Sequence, residues 1–110
     1  MKADRLVQLA ALSGAVAVIA GAFGAHAFVG KPAEWLKTGG EYQLIHAVAA
    51  LVVAGIWQAR LAAWLMLGGA AVFAATLYAM ALGAPTWLGA VTPLGGLGMI
   101  GGWVALFKKR

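Results

Sequence analysis

Apolar residues fill four long stretches of this chain, and charged residues lie only outside those stretches. Residues 6–29, 42–58, 61–83 and 87–107 contain no acidic residue, lysine or arginine. About 20 helical residues cross a hydrocarbon core about 30 Å thick, and helices are needed there because hydrocarbon cannot hydrogen-bond the backbone. The pattern therefore predicts four transmembrane helices, over residues 6–28, 41–58, 61–83 and 88–107.

Two connections in this pattern carry further information. Pro32 suits the start of a helix and Gly39-Gly40 its end, so residues 30–40 predict a short interfacial helix between helices 1 and 2. In the fourth stretch, Pro93 lacks a backbone donor and clashes with a preceding helical turn. Either that span is kinked at Pro93, or residues 87–92 enter the membrane as irregular backbone before the helix begins.

Composition narrows the fold class to an all-α polytopic membrane protein with a four-helix bundle. Apolar residues make up 64% of the 110 residues, and charged residues only 10%, against roughly a quarter in ordinary soluble proteins. A soluble domain of this size has too much surface to hide so many apolar side chains. We therefore interpret residues 1–110 as one integral membrane domain.

The net charge of +5 predicts orientation rather than a nucleic-acid partner. No polar face carries a basic stripe with interleaved aromatic residues, so we expect the lipid bilayer, not nucleic acid, as the partner. The first five residues, Arg60 and the last three residues carry six of the eight basic side chains. The positive-inside rule then predicts that both termini are cytoplasmic. All five tryptophans lie near a predicted membrane interface, as in an aromatic belt.

Several kinds of chemistry find no support in the residues. The chain contains no cysteine, which excludes disulfides, iron–sulfur clusters and thiol catalysis. Ser13 is its only serine and has no nearby base in the sequence. No glycine-rich loop follows a strand to cradle a phosphate. We expect no enzymatic activity and no cofactor.

Polar side chains inside a membrane span are costly, so each of them is a candidate for function. The predicted spans place both histidines and their polar neighbours in the outer half of the membrane. This candidate cluster comprises His26, Glu41, Tyr42, Gln43, His46 and Thr92.

Three interpretations of the cluster remain open at this stage. The first is structural, with His26, Gln43 and His46 hydrogen-bonding across helices. The second is a metal site built from both histidines and Glu41 or Glu34, although no local ligand spacing supports it. The third is a proton-coupled or ligand-binding site, because histidine can change charge near neutral pH.

Small residues predict where the helices pack closely. Lipid offers helices no hydrophobic reason to associate, so close backbone contacts supply much of the attraction. The candidate packing positions are Gly14, Gly21, Gly95, Gly98 and Gly102. The pattern leaves open whether these glycines pack within the chain or between chains, and we expect a homo-oligomer or a subunit of a membrane complex.

Three blocks, in this order, resemble a known bacterial family. They are GAFGAH at residues 21–26, YQLIHA at residues 42–47 and TPLGG at residues 92–96. The chain resembles the small inner-membrane family typified by YgdD and YwdK, domain-of-unknown-function family 423, which has four-helix relatives in eukaryotes. The resemblance implies four helices and a bacterial plasma membrane, and it implies no activity.

The sequence thus predicts an integral inner-membrane protein of unknown activity, with a structural or accessory role. The alternative is a small transporter or a ligand- or metal-binding membrane protein, with its site around His26 and His46.

Overall fold

The structure is a computed structural model that describes residues 4–109. Its helices are α1 (Arg5–His26), α2 (Gly30–Trp57), α3 (Arg60–Ala81) and α4 (Thr92–Lys108), with a 3₁₀ helix at Thr86–Ala90 before α4. Four segments, counting the 3₁₀ helix and α4 as one, are long and apolar enough to cross a membrane. The described residues contain no strand. The predicted four-helix membrane fold is confirmed.

The ends of the helices follow from local chemistry. Asp4 precedes α1 and accepts a hydrogen bond from the Leu6 amide at 2.9 Å, as an N-cap should. After α2, Gln58 adopts a left-handed conformation (φ 56°), and the next amide, that of Ala59, bonds back to the Val53 carbonyl. This closure caps α2 and turns the chain directly into α3.

The predicted interfacial helix is not a separate element, because residues 30–40 form the first part of α2. Gly39 and Gly40 do not end the helix, since both are buried against neighbouring helices. A Cβ added to Gly39 would lie 2.7 Å from the Tyr78 ring, and one added to Gly40 would lie 3.0 Å from the Ala17 carbonyl oxygen. The two glycines therefore allow the Tyr78 ring and the backbone of α1 to pack closely on α2, and they do not break the helix. With 28 residues, α2 is about 42 Å long, more than the hydrocarbon core requires.

The break in the fourth span lies before Pro93. The 3₁₀ helix ends at Ala90, and α4 begins at Thr92 with Pro93 in its first turn, where the missing N–H has no helical partner to lose. Of the two predicted alternatives, the structure has the irregular backbone followed by a shorter helix. The 17 residues of α4 span about 25 Å.

The helices pack in chain order, α1 on α2, α2 on α3 and α3 on α4, with only minor contact between α1 and α3. The result is a slab of 43 × 30 × 18 Å in which α1 and α4 form the two edges. We call the end that carries Asp4, Arg60 and Lys108 the basic end, and the opposite end the far end. Near the basic end the interior is apolar and rich in alanine, and its buried members are Leu6, Ala10, Ala50, Val53, Ala54, Ala59, Ala62, Ala63, Met66 and Leu67.

Candidate functional site

A chain of hydrogen bonds joins α1, α2 and α3 inside the membrane span. The Gln43 amide nitrogen donates to the Ser13 hydroxyl at 2.9 Å. The Tyr78 hydroxyl donates to the side-chain oxygen Oε1 of Gln43 at 2.6 Å. Gln43 is 6% exposed and Ser13 is 9% exposed. If one partner were removed, the other would therefore have no water molecule to take its place as a hydrogen-bond partner.

A second set of bonds joins α2 to α4 through His46. The Trp103 indole N–H donates to His46 Nε2 at 3.0 Å, so Nε2 is an acceptor and carries no proton. His46 Nδ1 lies 2.7 Å from the Tyr42 carbonyl oxygen and is therefore the protonated nitrogen, the donor to that oxygen. Both ring nitrogens of this neutral imidazole are thus occupied by the protein itself.

A third bond joins the far-end halves of α3 and α4. The Thr76 and Thr92 hydroxyls are 2.6 Å apart. The Thr76 hydroxyl oxygen also lies 3.0 Å from the Phe73 carbonyl oxygen of α3, and the Thr92 hydroxyl oxygen lies 3.3 Å from the Leu88 carbonyl oxygen of the 3₁₀ helix. Thr92 is the first residue of α4, so the bond holds the start of that helix against α3. In the described part of the chain, no buried side-chain nitrogen or oxygen lacks a hydrogen-bond partner.

The predicted cluster does not form as one site. Gln43 and His46 are buried and Thr92 is half-buried, but these three residues belong to three different sets of hydrogen bonds. Tyr42 contributes its carbonyl oxygen to His46, and its ring is exposed. Glu41 is exposed on α2.

His26 lies far from His46. Gly40 of α2 is against Ala17 and Gly21 of α1, and Gln43 is bonded to Ser13, so His46 lies on the basic-end side of Ser13. His26 is about 20 Å from Ser13 along α1 in the opposite direction. The prediction placed both histidines in the outer half of the membrane because it began the second helix at residue 41, whereas α2 begins at Gly30.

The geometry also bears on the metal interpretation. Among residues 4–109, no three His, Asp or Glu side chains come close enough together to hold a metal ion. His26 is exposed at the far end of α1. The metal site that the sequence left open is therefore not assembled in this fold.

Four of the hydrogen-bonding partners lie outside the predicted cluster: Ser13, Thr76, Tyr78 and Trp103. Tyr78 and Thr76 were available as polar residues within a span, which is the only signal that marks them. Trp103 fits the pattern of an interface tryptophan, yet its indole N–H is directed to His46. No local spacing connects residues 46 and 103, so only the packing of α4 against α3 reveals the pair.

Glycines form the contact between α3 and α4. A Cβ on Gly95 would collide with the Phe73 backbone nitrogen, and one on Gly98 would lie 2.9 Å from the Gly69 Cα. A Cβ on Gly102 would lie 2.5 Å from the Met66 side chain. The two backbones therefore approach too closely for any side chain at these positions. These glycines pack within the chain and are not available as an oligomer seam.

The other two predicted packing glycines lie in α1. A Cβ built on Gly40 would lie 3.4 Å from the backbone nitrogen of Gly21, so α2 packs directly on the backbone of α1 at Gly21. Gly14 has only an ordinary contact, 3.9 Å from the Leu44 side chain.

An ion pair closes the basic end. The Arg60 guanidinium donates two hydrogen bonds to the Asp4 carboxylate, each 3.2 Å long. These bonds, followed by the one from the Leu6 amide, hold the pKa of Asp4 below its usual value. The pair joins the start of α1 to the start of α3, so these two helices run parallel.

Comparison with known proteins decides the family. Residues 20–96 match DUF423, described as a protein of unknown function. The chain belongs to the DUF423 family. It is 38% identical to the membrane protein YwdK of Bacillus subtilis, over 91% of this chain and 90% of that protein. It is 35% identical to the inner membrane protein YgdD of Escherichia coli, over 92% of this chain and 85% of that protein.

A relative from Haemophilus influenzae, also named a membrane protein, is 34% identical over 97% of each chain. No solved structure matches this chain. Together with the four apolar helices, these relatives show a multi-pass integral membrane protein of unknown activity, as the sequence predicted.

Proposed function

We propose that this protein is a non-enzymatic structural or accessory component of the bacterial plasma membrane. The observation that carries the proposal is that the buried polar groups bond to one another. Ser13, Gln43 and Tyr78 satisfy each other, and both nitrogens of His46 have protein partners. A site that binds a substrate needs polar groups directed at the ligand, and these are directed at neighbouring helices.

Replacement of His46 tests this role. His46→Ala removes the acceptor of the Trp103 N–H, so we expect a less stable protein that accumulates poorly in membranes. Trp103→Phe removes the same bond from the other side and should reproduce the loss in part. A His46→Ala protein that is as abundant and as heat-stable as wild type would contradict a structural role for His46.

The second candidate is a binding or transport function, which a cleft beside His46 favours. This cleft of about 430 Å³ lies between α2 and α4 and is lined by Tyr42, His46, Phe73 and Trp103, among others. It predicts a bound molecule in mass spectra of the native protein. His46→Ala would then abolish that binding while the protein remains folded and abundant.

For the orientation, we infer that both termini are cytoplasmic. The basic end carries Arg5, Arg60, Lys108 and Lys109 against Asp4, whereas the far-end half of α2 carries two lysines and two glutamates. The Escherichia coli relative is named an inner membrane protein, which agrees with a plasma-membrane location. A fluorescent protein fused after residue 110 should fold and fluoresce, and alkaline phosphatase fused there should be inactive. The reverse result would overturn the orientation.

Self-association, or membership of a larger membrane complex, is the corresponding proposal for partners. The edge helices α1 and α4 leave most of their surface to the membrane, so both edges are open to a neighbour. Native mass spectrometry from membranes would give the copy number directly. A monomer without associated proteins would contradict the proposal.

A further inference from the structure

A groove runs between α1 and α3 above the middle of α2. Leu9, Leu12 and Val16 form one wall, and Trp64 and Leu67 form the other. The Ser13–Gln43 pair lies at its floor, where the polar atoms bond to each other. The groove holds about 300 Å³, at the lower end of the range of about 300–1,000 Å³ typical of small-molecule sites.

The groove occupies one leaflet only. From Leu9 to Val16 its wall extends roughly 10 Å along α1, within the half-thickness of about 15 Å of one hydrocarbon leaflet. Towards the far end, α1 and α3 share one apolar cluster that includes Ala20 and Ala81. A transmembrane helix would need a contact surface through both leaflets, whereas an acyl chain needs a surface in one.

The mouth of the groove is positively charged. Arg5 lies one turn before Leu9 on the same face of α1, and Arg60 lies one turn before Trp64 on the same face of α3. The Asp4–Arg60 ion pair shows that both arginines are at the same end. Asp4 is the only acidic residue of the chain near that end and pairs with Arg60, so the positive charge of Arg5 is not matched there.

We propose that this groove binds one acyl chain of an anionic phospholipid, with the phosphate between Arg5 and Arg60. The guanidinium groups suit the phosphate oxygens, and Trp64 lies one turn deeper, where an aromatic ring fits below a headgroup. The charge at the mouth selects an anionic over a zwitterionic headgroup. This inference goes beyond the structural role proposed above and does not depend on it.

A pair of glycine variants tests the acyl-chain position. Gly68 lines the groove, and a Cβ there would meet no atom within 4 Å, so the side chain of Gly68→Leu starts in open space and occupies part of the groove. Gly55→Leu is the matched control, because Gly55 is also helical, exposed and uncrowded, and it lies outside the groove. The two variants should be equally well folded, as judged by helical circular dichroism.

Binding is measured by native mass spectrometry of detergent-solubilised protein titrated with phosphatidylglycerol or phosphatidylcholine. We expect wild type and Gly55→Leu to retain one phosphatidylglycerol at least tenfold more tightly than phosphatidylcholine. Gly68→Leu should bind phosphatidylglycerol at least tenfold more weakly. Equal phosphatidylglycerol binding by Gly68→Leu and Gly55→Leu would overturn the proposal.

A charge variant tests the headgroup position separately. Arg5→Gln should remove most of the preference for phosphatidylglycerol. Lys109→Gln removes a charge at the same basic end of the protein, just after α4, and should keep the preference. Equal loss in both variants would mean a diffuse basic surface and no site. If Gly68→Leu instead abolished a protein dimer and left lipid binding unchanged, the occupant would be a second copy of the chain, and the lipid proposal would be wrong.

Discussion

The contact of α4 with α3 and the contacts among α1, α2 and α3 are built in different ways. Between α3 and α4, Gly95, Gly98 and Gly102 bring one backbone against the other. Among the first three helices, the amide of Gln43 bridges Ser13 and Tyr78. The first contact depends on the absence of side chains and the second on their polarity. Lipid forces this choice, because apolar side chains gain little by leaving hydrocarbon for protein.

The largest effect should come from adding one methyl group to the glycine contact. Gly95→Ala places a Cβ against the Phe73 backbone, which cannot move aside as a side chain could. We expect the free energy of unfolding to fall by about 3 kcal/mol or more, measured by circular dichroism during SDS titration of detergent-solubilised protein. Gly96→Ala is the matched control on the same helix, with no atom within 4 Å of its Cβ, and should change stability little.

A smaller effect should follow from removing the polar bridge. Gln43→Leu has nearly the same volume and leaves the Ser13 and Tyr78 hydroxyls without their partner, at a cost of about 1–2 kcal/mol by the same titration. Gln8→Leu, an exposed position on α1, is the control. Gln43→Leu should cost much less in a Ser13→Ala, Tyr78→Phe background. An unchanged cost there would mean that packing, not hydrogen bonding, makes Gln43 important.

Trp103→Phe should have a still smaller effect, because it removes one hydrogen bond and keeps an aromatic ring beside His46. We expect a loss of about 0.6 kcal/mol, the average for such bonds between membrane helices. Trp87→Phe, in the exposed 3₁₀ helix, should leave stability unchanged. If Trp103→Phe and Trp87→Phe lowered the free energy of unfolding equally, the position of the tryptophans at the membrane interface, and not the bond to His46, would explain the effect.

The smallest effect should come from the exposed ion pair at the basic end, which neither type of helix contact includes. Asp4→Asn keeps an N-cap residue and removes the charge that pairs with Arg60. Because the folded pKa of Asp4 is lowered, its stabilisation is present above the unfolded value near 3.8 and is lost as the pH falls through the folded pKa. Wild type should therefore lose slightly more stability than Asp4→Asn between pH 7 and pH 3 in low salt. Glu34→Gln is the control, and identical pH profiles for wild type and Asp4→Asn would show that the pair contributes nothing.

The candidate site was predictable in its residue types and not in its assembly. The free-energy cost of burying polar side chains in a membrane identified Gln43, His46 and Thr92 as candidates, and each of them takes part in an interhelical hydrogen bond. The same argument grouped His26 with them, but His26 is exposed at the far end of α1. The error arose from one boundary, since Gly39-Gly40 resembles a helix end in sequence and is a close helix crossing in the fold.

The sequence by itself determined that four helices cross a membrane and where the charged ends lie. The reason is that backbone groups in hydrocarbon must bond within their own segment, so the length of each apolar run sets its helix. Only the tertiary structure decided which faces meet, because a helix in lipid is apolar on all sides and its pattern does not distinguish a protein contact from a lipid contact. The pairing of Gly95 with Phe73, and of His46 with Trp103, depends on the register between helices, which no local spacing in the sequence specifies.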